Sequence, residues 1–344
     1  MKVYFKKHRV YLKYNFGLSR SNNNWYDRIY VYLKRNNITG IGEAAPSPRY
    51  NESIHLIEKI LQNGIKIPQS YTSYEKIWKY LKPQLSEIKS MEAAFSMALL
   101  DYMAKVEKKT VSKFLKLKQN KIHKTSYTIA IGRISQIEEK VKDAEGYKIL
   151  KVKLGSVDND KNIIKEIRKY TDKKIRVDAN EGWKLDQGLE ICDWLNKYNI
   201  ELIEQPFPSN KIEDTIKLKE YTDIDIYADE NSCTSSDISK IHSAFDGINI
   251  KLMKCGSIFE AINMIQLAKR YKLKVMLGCM IETSVAISAA AQLAGEVDLI
   301  DLDGNLLIKN DPFIGAEIHK GCLKISSNYG LGLNLKKEFI NLKV

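Results

Sequence analysis

"YKILKVKLG", residues 147–155, decides how the chain folds. It has the length and composition of a β-strand closed by a glycine. Successive side chains of a strand point to opposite faces, so Leu150, Val152 and Leu154 share one face and Lys151 and Lys153 share the other. An apolar face needs a cover. Two ammonium groups aimed at one spot need a different environment, and the rest of the chain supplies it.

From about residue 125 similar β-rich segments recur: "SYTIAIG", "KKIRVDAN", "NIELIEQP", "DIDIYADE", "GINIKLMK", "LKVMLGCM" and "VDLIDLD". Seven stretches of helical period lie between them, among them "DKNIIKEIRKYT" and "IFEAINMIQLAKRY". Landmark residues 153, 178, 204, 229, 251, 278 and 301 are spaced by 22 to 27 residues, room for one strand, one helix and two short loops. Eight strands and seven helices predict a TIM-like parallel barrel. No good helix follows "DLDGNLLIKNDPF", so the expected form is (β/α)7β over 116–314. Residues 1–115 lack this rhythm. They read as a separate α+β capping domain, with strands near 3–13, 25–34 and 38–43 and helices near 51–63, 73–82 and 89–106. The tail, 315–344, is expected to return to it.

In such a barrel the outward strand faces meet helices, and the C-terminal ends carry the site. Lys151 and Lys153 then point inward at the mouth. The next three strands end in acids of the same phase: Asp178 in "IRVDAN", Glu204 in "ELIEQP" and Asp229 in "IYADE". The sixth strand turns Lys251 inward. A lone acid at a strand end is ordinarily a helix cap, and a lone lysine pair a solvated face. Five such residues at a steady spacing, at one end of one barrel, point to chemistry. Three hard oxygen ligands suit Mg²⁺. Lysines on opposite sides of that cation would offer a base to each face of a bound carbon acid, and the cation would lower a lysine pKa toward the useful range.

Composition bounds the alternatives. The chain has 344 residues, 44% hydrophobic and 28% charged, with a net charge of +13. It has no basic tail, arginine cluster or basic run interleaved with aromatics, so nucleic acid is not the expected partner. A positive field also serves to steer a small anion. No apolar run approaches bilayer length, so no membrane partner is expected. The opening "MKVYFKKHRVYLKYNF" alternates apolar and basic residues and reads as a first strand, not a signal peptide. Five scattered cysteines without a CxxC fit a reduced, cytoplasmic setting.

"KVK", "DAN", "IEQP", "ADE" and "NIKLMK" together resemble the enolase superfamily, in its muconate-lactonizing subgroup. "GIGEAAPSP" (40–48) resembles the capping-domain strand and turn, and "EAAFSMALLDYMAK" (92–105) the long helix before the barrel. The resemblance implies removal of a proton α to a carboxylate. It makes Asp178, Glu204 and Asp229 the ligands of one Mg²⁺ that stabilises an enediolate. Lys153 and Lys251 become the acid/base pair, and Lys151 a support for the developing charge. The seventh strand, "VMLGCM", lacks the histidine of mandelate-racemase-like members. A Lys/Lys pair leaves cycloisomerases, o-succinylbenzoate synthases, N-acylamino acid racemases and dipeptide epimerases.

Asp301 and Asp303, two apart in "DLIDLDG", supply two further carboxylates that suit a substrate ammonium group. This Asp-x-Asp and "GCMIET" (278–283) resemble dipeptide epimerases, which implies inversion at the α-carbon of a dipeptide's second residue. N-acylamino acid racemase or o-succinylbenzoate synthase chemistry on the same residues is the alternative. Arg20, in a capping-domain loop, could pair with an acidic side chain and so favour L-Ala-D/L-Glu, a cell-wall peptide fragment. Thr128 and Met280 are further candidates for contact with the dipeptide. Two departures bear on loop shape: Ser257 follows Gly256 where the family often has a second glycine, and Asn305 stands where it often has proline. Many relatives form homo-oligomers, and the sequence names no interface.

Overall fold

The computed structural model describes residues 1–18, 21–119, 123–155 and 159–344. Strands β1 (Lys2–Leu18), β2 (Ser21–Arg35) and β3 (Ile38–Ala44) form an antiparallel meander. Arg35 pairs with Ile38, which leaves Asn36 and Asn37 as a two-residue loop with φ of 50° and 61°. Two left-handed residues are what this tight hairpin turn needs, and asparagine tolerates that conformation. Helices α1 (Ile54–Gln62), α2 (Tyr74–Leu81), α3 (Lys89–Val106) and the single turn α4 (Val111–Phe114) follow.

Helix α3 is buried along nearly its whole length, so it carries apolar or small residues all round and shows no amphipathic stripe. Its backbone lies against β3 at Gly40 and Gly42. A Cβ at either glycine would collide with the carbonyls of Ala98 and Ala94.

The barrel strands are β4 (Ser126–Ile129), β5 (Ile149–Lys153), β6 (Lys174–Asp178), β7 (Ile200–Glu204), β8 (Asp225–Ala228), β9 (Gly247–Ile250), β10 (Lys274–Gly278) and β11 (Leu299–Asp301). They pair in sequence order, all parallel. The ring is completed between β11 and β4 by side chains: the Leu302 N–H donates to Thr125 Oγ1 at 2.8 Å. The covering helices are α5 (Ile137–Asp143), α6 (Asp160–Arg168), α7 (Leu185–Leu195), α8 (Ile212–Tyr221), α9 (Ser235–Ile241), α11 (Ile258–Arg270) and α12 (Ser284–Ala291). A four-residue turn, α10 (Leu252–Cys255), sits between β9 and α11. Beyond β11 the described residues form no further α-helix, only the 3-10 segments Gly304–Leu307 and Lys337–Leu342 and short strands, so the barrel is (β/α)7β.

The outward residues Leu150, Val152, Val177, Ile203, Ala228 and Ile250 are buried under the helices. The lower interior is plugged by Leu202, Tyr227 and Met276. Arg176 is buried beside them, bonded to Glu201 and to the Ile300 carbonyl, each at 2.6 Å.

The C-terminal segment forms two short ladders, β12 (Phe313–Ile314) with β15 (Asn334–Leu335), and β13 (Glu317–His319) with β14 (Cys322–Lys324). Phe313 and Leu342 pack with Tyr30 and Tyr32 of β2, and Lys34 donates to the Val344 carbonyl at 3.2 Å. The tail thus lies on the N-terminal sheet.

Candidate active site

Strand register places the charged side chains at one height. Lys153 on β5 pairs with Asp178 on β6, and Asp178 with Glu204 on β7. Asp229 follows the last residue of β8, and Lys251 follows the last residue of β9. These residues are all buried. Ligand atoms of Asp178, Glu204 and Asp229 lie within 4.8 Å of one another. Three buried carboxylates on adjacent strands form a hard-oxygen set that fits a divalent cation such as Mg²⁺.

Three lysines enclose this triad. Lys153 Nζ lies 2.6 Å from Asp178 Oδ2. Lys251 Nζ lies 2.8 Å from Asp229 Oδ2 and 3.8 Å from Glu204 Oε1. Lys151 Nζ sits among three acids: Glu204 and Asp301 at 2.7 Å each and Asp178 at 3.0 Å. Strands β5 and β9 are four apart in the eight-strand ring, so Lys153 and Lys251 face each other across the carboxylates.

The carboxylates around Lys151 and Lys251 act on those two lysines in the opposite sense to a bound cation. Burial works against the charge of Lys151, but Asp301, Glu204 and Asp178 together hold its pKa well above the ordinary value. Burial likewise opposes the charge of Lys251, and Asp229 and Glu204 outweigh it. Each ammonium lies on a carboxylate. Asp229 is pulled well below the carboxylate range by Lys251 and Lys254, against the effect of its burial. Burial and the charge of Asp178 instead raise Glu204.

A cleft of about 520 Å³ opens over this centre. Its floor includes Lys151, Lys153, Lys251, Asp229, Asp301 and Asp303. Phe16, Trp25, Tyr26 and Tyr50 from the N-terminal region contribute to its walls, as do Thr128 and Met280. Asp301 and Asp303 both face inward, as the alternation predicted. Asp301 accepts from Lys151 and from the Ser126 hydroxyl, and Asp303 Oδ2 accepts the Thr128 N–H at 2.6 Å. Burial, then the charge of Asp301, pushes the Asp303 carboxyl up to about 7. Arg20 lies outside the described residues.

Both loop departures have local explanations. Ser257 is the N-cap of α11, its hydroxyl accepting the Glu260 N–H at 3.0 Å. Gly256 before it has φ of 83° and faces the Glu92 carboxylate, so glycine is needed there. Asn305 Nδ2 donates to Ser284 Oγ at 3.1 Å and ties the turn after β11 to α12.

Sequence reasoning missed several residues behind the site. Lys254 Nζ contacts Asp229 Oδ1 at 2.5 Å and also bonds the backbone carbonyls of Asp229 and Asn249. Asn249 donates to Glu204 Oε1 at 2.8 Å. Gln205, held at φ of 40°, accepts the Asp229 and Asn231 N–H groups through its Oε1. The period-two rule puts Asn249 on the same face as Lys251, a signal available in the sequence. From the N-terminal sheet, Arg28 donates to the Ile281 carbonyl, and Glu43 accepts from Thr283 and from the Ala286 N–H. Nothing local in the sequence announces those contacts.

Residues 135–339 match the family described as Enolase C-terminal domain-like. The L-Ala-D/L-Glu epimerase of Bacteroides thetaiotaomicron is 36% identical over 337 residues, covering 97% of this chain and 88% of that one. The L-Ala-D/L-amino acid epimerase of Pedosphaera parvula is 39% identical over 302 residues, 85% of this chain and 86% of that one. The crystal structure of a dipeptide epimerase from Cytophaga hutchinsonii, complexed with Mg and the dipeptide D-Ala-L-Val, superposes with a TM-score of 0.90 at 28% identity, covering 98% and 96% of the two chains. With the barrel, the acid triad and the flanking lysines in place, the chain belongs to the enolase C-terminal domain-like family.

Proposed function

We propose that this protein is a dipeptide epimerase that inverts the α-carbon of the second residue by two-base proton transfer. The observation that carries the reading is the placement of Lys153 and Lys251 on opposite sides of one carboxylate triad. One lysine removes the α-proton from its face and the other delivers a proton to the opposite face, so the reaction runs in either direction. Asp178, Glu204 and Asp229 would hold one Mg²⁺ per subunit. When bound it neutralises the charge that builds on the substrate carboxylate. Lys151, gripped by three acids, stays charged and adds a fixed positive charge beside it.

Asp301 and Asp303 supply the negative end of the site. A dipeptide has an ammonium group to meet it, and an N-acyl amino acid does not. The three similar proteins named above are epimerases of a dipeptide or of L-Ala-amino acids, which supports the same substrate class. Residues 1–115 and 315–344 act as the cap over the barrel of 116–314, with Phe16, Trp25, Tyr26 and Tyr50 of the first segment on the wall of the cleft. L-Ala-D/L-Glu is the first substrate to test, with Arg20 as the partner of its side-chain carboxylate.

The experiment is α-proton exchange followed by NMR in D₂O with Mg²⁺, on L-Ala-L-Glu, L-Ala-L-Lys, L-Ala-L-Phe and N-succinyl-L-Phe. Exchange in free dipeptides and not in the N-acyl compound is the expected result. Exchange only in the N-acyl compound overturns the substrate class.

A further inference from the structure

We propose that Arg49 is a positioning residue for the reaction: through Glu181 it ties the turn at 46–52 to the barrel rim and so fixes one wall of the cleft. The inference rests on the dipeptide reading above and adds to it the contact that keeps the cleft in shape.

The turn is shaped from within. Pro46 and Pro48 each lock one backbone angle. The Ser47 carbonyl accepts the Tyr50 and Glu52 N–H groups at 3.0 and 3.3 Å, and the Asn51 N–H reaches the Pro48 carbonyl at 3.0 Å. Pro46, Ser47, Pro48, Arg49, Tyr50 and Glu52 all line the cleft. Burial, then the charge of Asp229, raises the Tyr50 phenol pKa, which sets that side chain on the triad side of the cleft. Pro48, Arg49 and Asn51 are nevertheless exposed, so water competes for the turn's own bonds. A tie to the barrel keeps it closed.

Arg49 makes that tie. Its Nε and Nη2 meet the two oxygens of Glu181 at 2.8 Å each, and Nη2 also donates to Ser209 Oγ at 3.2 Å. Glu181 lies in the loop after β6 and Ser209 in the loop after β7. A planar fork on a carboxylate fixes direction as well as distance. The anchor is itself held firmly. Glu181 has φ of 66°, which a non-glycine residue keeps only where its surroundings impose it. Its N–H donates to the Gln205 carbonyl at 2.9 Å, and its Oε1 accepts the Ser209 N–H at 2.9 Å. Gln205 also holds the Asp229 N–H. The carboxylate that receives Arg49 thus belongs to the same rim as the acid triad, while the guanidinium belongs to the turn that closes over it.

The test compares Arg49→Met, Arg49→Lys, Glu181→Gln and the double variant Arg49→Met/Glu181→Gln on a free dipeptide that the wild type epimerises. Arg49→Met and Glu181→Gln are each expected to raise KM roughly 10-fold with kcat within a few-fold, because a loosened turn is ordered again only when substrate binds. The double variant is expected to match either single one, since both remove the same contact. Arg49→Lys keeps the charge but not the fork, and is expected to behave as Arg49→Met does. An unchanged KM in both single variants, or effects that multiply in the double variant, overturns the proposal. Should the wild type turn over no free dipeptide, the substrate reading fails instead. The tie is then judged without substrate, by hydrogen exchange at the Tyr50, Asn51 and Glu52 amides. Exchange several-fold faster in Arg49→Met and in Glu181→Gln, with the barrel strands unchanged, supports it. Wild-type exchange at those amides in either variant overturns it.

Discussion

Lys254, on the far side of Asp229 from the cleft, donates to both the Oδ1 and the backbone carbonyl of that residue, while Lys251 holds its Oδ2. One acid is thus fixed between two lysines, one facing the chemistry and one behind it. Partners of this kind orient a metal ligand without touching the metal. Lys254→Met is expected to lower Mg²⁺ affinity roughly 10–100-fold by calorimetric titration, with Lys254→Arg less affected. An affinity equal to wild type in the methionine variant would remove this role.

Arg28 and Glu43 join the N-terminal sheet to the loop after β10. Arg28 is buried and lies 3.9 Å from Glu43, and each bonds backbone groups of residues 281–286. Arg28→Met leaves Glu43 buried without its cation and is expected to cost about 3 kcal/mol, read by urea unfolding. Arg28→Lys should not restore it, because the Ile281 carbonyl is held by two atoms of the planar guanidinium.

Gly278 ends β10 beside the carboxamide of Asn249, where a Cβ would collide. Asn249 in turn bonds Glu204. Gly278→Ala is expected to push Asn249 off Glu204 and reduce kcat by about 10-fold or more at saturating Mg²⁺, since supporting contacts of this kind are worth that much. Unchanged kinetics would show that the Asn249–Glu204 contact is dispensable.

Burial pushes the Glu282 carboxyl up to about 8, with the nearby charge of Glu43 adding to the effect. The folded protein then holds this proton more tightly than the unfolded chain. The associated stability is full below the unfolded carboxyl pKa and is lost as pH rises through about 8. Asp303 adds to the same slope near 7. Glu282→Gln should therefore gain stability relative to wild type as pH rises from 5 to 8, measured by urea midpoints. A constant difference across that range would contradict it.

Strand alternation made much of the site legible. Lys151, Lys153, Asp178, Glu204 and Asp301 were placed correctly because a two-residue period and a buried outer face leave each strand a single phase. Arg176 was equally readable, two residues before Asp178, yet its role depends on Glu201 of the next strand, which no spacing shows. Lys254 looks like a surface lysine of a helix. It is buried because α10 is a single turn that swings it behind Asp229. Arg28 and Glu43 act on residues about 240 positions away, a contact that only the fold creates.

The proposed reaction requires Lys153 and Lys251 to serve opposite faces of one α-carbon. The most direct measurement follows inversion of a turned-over dipeptide, with α-deuterium incorporation, in wild type, Lys153→Ala and Lys251→Ala, all at saturating Mg²⁺. Each alanine variant is expected to bind substrate and to lose inversion. A variant that inverts the centre at the wild-type rate would show that its lysine moves no proton.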